Sequence, residues 1–164
     1  MTVLIAAVLA ALALPNFTAV LRRSQVTQDK NDLIADINFA KAEAVKRGYA
    51  VGLYIPAGGA DLSNGWTVWA DSNNDQTLTV ADTQLRQHDP LPNGYKLFSS
   101  QALGAAQALM FSATGSVQKP VATTLYFVAC NPDHVQADAR TVQVTSSGAI
   151  IGINGTSASG ITCP

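Results

Sequence analysis

From Met1 to Arg47 the chain has no glycine and a single proline, although its 164 residues hold 12 glycines and seven prolines. A stretch of that length without breakers reads as one long helix. Charge is scarce as well. Only 13% of residues are charged and the formal net charge is −1, so nothing in the bulk composition points to a polyanion partner. Two histidines, His88 and His134, and two cysteines, Cys130 and Cys163, lack the close paired spacing of an ordinary zinc site. No HExxH, P-loop or GxSxG motif occurs, and neither histidine stands beside a credible nucleophile, which removes the usual grounds for an enzyme.

What remains is a chain of two characters. Its length suits one domain with a real core plus an appendage. Every residue from Val3 to Leu14 is Ala, Val, Leu or Ile, apolar on all helical faces. The run is shorter than the roughly 20 residues that cross a hydrocarbon core. Pro15 is expected to kink the helix, because its ring removes a backbone donor and crowds the preceding turn. After Asn16 the pattern turns amphipathic. Val26, Leu33, Ile37, Ala40 and Ala44 recur at helical spacing, with Asp29, Lys30, Asp32, Asp36, Lys41 and Lys46 assigned to other faces. Gly48, following Lys46-Arg47, is the expected stop.

Charge divides along the same line. Residues 1–47 carry six Lys or Arg against four acids, giving +2, whereas residues 48–164 carry four against seven, giving −3. Beyond Gly48, eight short β-like runs lie between turn clusters, at 50–55, 65–71, 83–88, 95–100, 108–113, 123–130, 140–146 and 149–154. Such spacing favours an antiparallel sandwich or two packed sheets. Trp66, Trp69 and Tyr95, at β-like spacing, read as core before they read as a stacking platform for single strands. Cys130 and the penultimate Cys163 are expected to pair, which would imply an oxidising compartment; two unrelated thiols are the alternative.

Four stretches together carry a resemblance: LAALALPNF (9–17), FAKAEAVKRG (39–48), GWTVWADSNNDQTLTVADTQLRQ (65–87) and RTVQVTSSGAI (140–150). They span most of the chain, which resembles the type IV pilins and type II secretion pseudopilins, in particular the FimT/FimU/GspH-like minor subunits. The resemblance implies an α+β pilin-like fold. Residues 1–23 would be the membrane and filament-core half of the helix, 24–48 the half packed on the head, and 49–164 the β-rich head. It implies a non-enzymatic subunit that helps initiate or cap a pilus or pseudopilus. Its partners would be other major and minor pilins or pseudopilins, and before assembly the inner membrane, with the head in the periplasm of a Gram-negative cell. Such helices normally begin with a basic leader, a cleavage site and a glutamate. By that analogy about seven residues of the mature helix are expected ahead of Met1, a number counted back from Pro15 and bringing the apolar run to spanning length.

Two further readings rest on particular residues. Asp71, Asn73, Asp75, Thr79 and Asp82 fall at calcium-loop positions 1, 3, 5, 9 and 12, but Gln76 replaces the glycine of position 6 and Asp82 is shorter than the usual glutamate. A polar turn in which Asp and Asn bond their own backbone is the simpler expectation, with no cofactor. DNA binding, the alternative function, would by resemblance use a Gly-Arg-x-Arg motif. The matching place reads Gly148-Ala149-Ile150-Ile151, and after residue 100 the basic side chains are Lys119 and Arg140 alone.

Overall fold

A computed structural model describes residues 2–56, 58–77, 81–104, 108–120, 124–156 and 160–163, with side chains from Phe17 onward. One helix, α1 (Thr2–Arg47), runs through Pro15 and ends where Gly48 takes a φ of 76° and donates its N–H to the Ala44 carbonyl at 3.0 Å. That left-handed φ is one that glycine adopts without a Cβ penalty, so the expected stop holds.

Among the described residues nine strands follow: β1 (Val51–Tyr54), β2 (Trp66–Ala70), β3 (Thr83–His88), β4 (Lys96–Ser99), β5 (Leu109–Phe111), β6 (Val117–Lys119), β7 (Leu125–Cys130), β8 (Arg140–Val144) and β9 (Ile150–Asn154). They form a five-stranded sheet in the order β3-β2-β1-β5-β6 and a four-stranded sheet in the order β4-β7-β8-β9. All pairings are antiparallel. Each run read from the sequence contains a strand. β6 was not among them, being three half-buried residues with no apolar alternation to announce it.

Alternation explains how the sheets close on the helix. Leu125, Phe127 and Ala129 of β7 and Val142 and Val144 of β8 turn inward, joining Leu53, Val68, Leu109 and Phe111 of the other sheet around Val26, Leu33, Ile37, Ala40 and Ala44 of α1. Trp66 lies in this main core. Trp69 faces the opposite side of β2 and packs with Met110, Ala50 and Ala108. Tyr95 is half-buried against the main core, so all three aromatics of the sequence reading pack.

Two acids depart from expectation. Asp29 and Asp36, assigned by pattern to solvated faces, lie on the buried face of α1, at 3% and 4% exposure. Both have polar partners there, without which burial would be costly.

Candidate functional site

The buried acids show how the head is fixed to α1. Asp36 accepts the Trp66 indole N–H at 2.9 Å through one oxygen and an Arg86 guanidinium N–H at 2.7 Å through the other. Arg86 lies 4.0 Å above the Phe39 ring, and His88 stacks on Trp66 at 3.9 Å between centroids. One helical carboxylate thus ties β2 and β3 to α1. Two helical turns back towards the N-terminus, Asp29 accepts from the Gln25 amide at 2.8 Å. Burial, with Asp32 adding to it, pushes the Asp29 carboxyl above its ordinary pKa, against the opposing pull of Gln25 and His88.

A second clasp forms where the head begins. Arg22 and Arg23 pair with Asp133 and Asp138 of the β7–β8 loop, the latter at 2.8 Å. The same loop is tied to the C-terminal tail. Cys130 and Cys163 form a disulfide with Cα atoms 5.7 Å apart, as expected from the sequence. The Gln136 amide donates to the Cys163 carbonyl at 2.9 Å and accepts the Cys163 N–H at 3.1 Å. Sequence reading missed the role of Gln136 and of both arginines, since each partner lies on a distant element.

Opposite the head, α1 carries a different surface. Phe17, Leu21, Ser24, Gln28, Asn31, Ala35, Asn38, Ala42 and Val45 are all exposed and follow one another at alternating spacings of four and three. None is charged. That spacing keeps a stripe on one side of a helix, the geometry by which helices pack lengthwise. Among the described residues no helix is long and apolar enough to cross a membrane.

The carboxylate loop stands apart on the head. Asp71, Asp75 and Asp82 bring oxygens within 4.8 Å of one another. Asp71, fully buried, accepts the N–H groups of Asp75 and Gln76 at 3.1 and 2.9 Å. Asn73 also accepts from Asp75 N–H, Asp75 from Thr77 N–H at 2.7 Å, and Asp82 from Ser72 N–H at 3.0 Å. Burial is the main cause raising the Asp71 pKa, with Asp82 and Asp75 adding repulsion. Thr79 lies outside the described residues. His134, exposed in the β7–β8 loop, adopts a φ of 56°. The β8–β9 turn presents no arginine, and Arg140 donates to the carbonyls of Asp138 and Ala139. Nothing in this arrangement favours DNA binding.

A long helix, clasped along one face to an antiparallel two-sheet head and bare along the other, is the fold of a pilin-like subunit. The family model described as type II transport protein GspH matches residues 29–148, and the chain belongs to that family. It is a minor pilin or pseudopilin, a structural subunit and not an enzyme. Among solved structures the fold is similar to type IV minor pilin FimU of Pseudomonas aeruginosa, at 20% identity and a TM-score of 0.66, covering 87% of this chain and 97% of FimU. It is also similar to the minor pseudopilin EpsH of the Vibrio cholerae type 2 secretion system, at 14% identity and a TM-score of 0.58, covering 79% and 97%. No curated protein sequence matches the chain. Family members are envelope-associated proteins of Gram-negative bacteria.

Proposed function

We propose that this subunit helps initiate or cap a thin envelope filament, a pilus or pseudopilus, by laying the bare face of α1 against the helices of other pilins or pseudopilins. Before assembly the apolar run Val3–Leu14 holds it in the inner membrane, with the head on the periplasmic side. The observation that carries the reading is the uncharged, exposed stripe from Phe17 to Val45. A soluble helix normally sets charges on its outer face, whereas here the charges that could have filled it are spent on the head: Asp36 on Trp66 and Arg86, Arg22 and Arg23 on the β7–β8 loop. The reading needs no cofactor. The loop of Asp71, Asp75 and Asp82 serves it as a self-bonded turn.

Placing carboxylates in the stripe tests this directly. Ala35→Glu with Ala42→Glu touches no head contact, so the subunit should accumulate with its disulfide intact and melt like the parent. It should be missing from filaments sheared from cells. Normal incorporation of the double variant would overturn the reading.

A further inference from the structure

Four strands bound the two sheets: β3 and β6 in one, β4 and β9 in the other. Three of these edges are closed or blunted. Residues 60–63 cover β4, where Asp61 bridges to Phe98, Leu62 N–H donates to the Leu97 carbonyl and Ser99 N–H to the Ala60 carbonyl, both at 2.8 Å. β6 is three residues long, and its Val117 N–H donates to Ser146 at 3.0 Å. β3 carries Arg86 and His88 among polar neighbours. β9 reads IIGIN, without charge, and no described element pairs with its outer side.

The ladder fixes which groups that edge offers. Thr145 N–H donates to Ala149 and Gly155 N–H to Ala139, with Gln143 opposite Ile151 and Thr141 opposite Ile153 between them. Alternation along an antiparallel pair therefore points Ile151 and Ile153 backbone groups at β8 and those of Ile150, Gly152 and Asn154 outward. Ile151, 46% exposed, supplies an apolar side chain beside them.

Three cations stand along this edge, and the acid nearest it, Asp138, is already paired with Arg23. The Lys30 ammonium stands 3.6 Å from the place a Gly152 Cβ would take. Lys41 donates to the Gly148 carbonyl at one end, and Arg140 lies opposite Asn154 at the other. No described residue pairs with Lys30. A second copy of this chain docking through β9 about Gly152 would bring two Lys30 ammonium groups within roughly one strand spacing, about 5 Å, and be repelled. The edge complements a strand of opposite charge.

We propose that β9 is a docking edge for an extended strand of another protein that carries a carboxylate opposite Gly152, with Lys30 receiving that carboxylate and preventing β9 from pairing with a second copy. The site is distinct from the stripe on α1 and stands whether or not that stripe packs in a filament.

The probe is a synthetic capped peptide alternating Thr and Val around a central Glu, titrated into the isotope-labelled full chain in detergent micelles. The control peptide has Lys at the centre. With the Glu peptide the amides of Ile150, Gly152 and Asn154 should shift and gain protection from exchange, and the Lys peptide should bind about tenfold more weakly or worse. Lys30→Glu, which leaves the strand untouched, should reverse the preference. Gly152→Pro removes an outward donor without breaking the β8 ladder and should abolish both effects. No shift at these amides with the Glu peptide would overturn the proposal. Equal binding of both peptides, or an unreversed preference in Lys30→Glu, would overturn the role of Lys30.

Discussion

Replacing Asp36 by Ala should destabilise the chain more than any other single change to a charged residue of α1. The carboxylate is buried and serves two donors, Trp66 at 2.9 Å and Arg86 at 2.7 Å. Removing it leaves the Trp66 N–H unpaired in the core, at about 1–3 kcal/mol. The Arg86 side chain is 44% exposed and rehydrates, so its loss adds about 1 kcal/mol at most. The sum is about 1–4 kcal/mol, or about 2–16 °C in melting temperature for a chain of this size. A double-mutant cycle isolates the buried bond. In a Trp66→Phe background no indole N–H is left to orphan, so Asp36→Ala should there cost only about 1 kcal/mol. Urea unfolding followed by circular dichroism reads all four species. Equal costs of Asp36→Ala in both backgrounds would refute the reasoning, as would a melting shift of a degree or less.

Reducing the disulfide, or replacing Cys163 by Ser, should cost about 3–4 kcal/mol from the 33-residue separation it closes; unchanged melting under reductant would contradict this. Asp29 carries a raised pKa, so its ionisation opposes folding. That part of the stability is present below the ordinary carboxylate pKa and is lost as pH rises through the raised value. Asp29→Asn should accordingly gain on the parent as pH rises over that interval, and a stability difference constant with pH would count against the assignment. Millimolar calcium should leave the melting temperature unchanged, because the Asp71 loop satisfies its carboxylates with its own N–H groups. A calcium-dependent rise abolished by Asp71→Ala with Asp75→Ala would reverse that view.

The helix, its stop at Gly48 and eight of the strands were legible because each rests on local pattern: missing breakers, a helical apolar period, alternation between turns. β6 lacked any such pattern, and the sheet order β3-β2-β1-β5-β6 depends on pairings between distant segments that no window of sequence contains. Asp29 and Asp36 misled for a physical reason. A charge on an amphipathic helix is usually solvated, and what reverses this for Asp36 lies 30 and 50 residues away, in Trp66 and Arg86. The bare stripe was hidden for the complementary reason. Between Leu21 and Val45 its members are small or polar and look like ordinary surface until the opposite face is seen to be occupied by the head.

On the proposed function, the stripe on α1 is covered by other helices in the assembled filament. Thiol labelling of Ala35→Cys tests it most directly, since the two native cysteines are paired and silent. The isolated subunit, where Ala35 is exposed, should label readily, and the same position should be protected in intact filaments. Labelling at the same rate in both states would contradict the account.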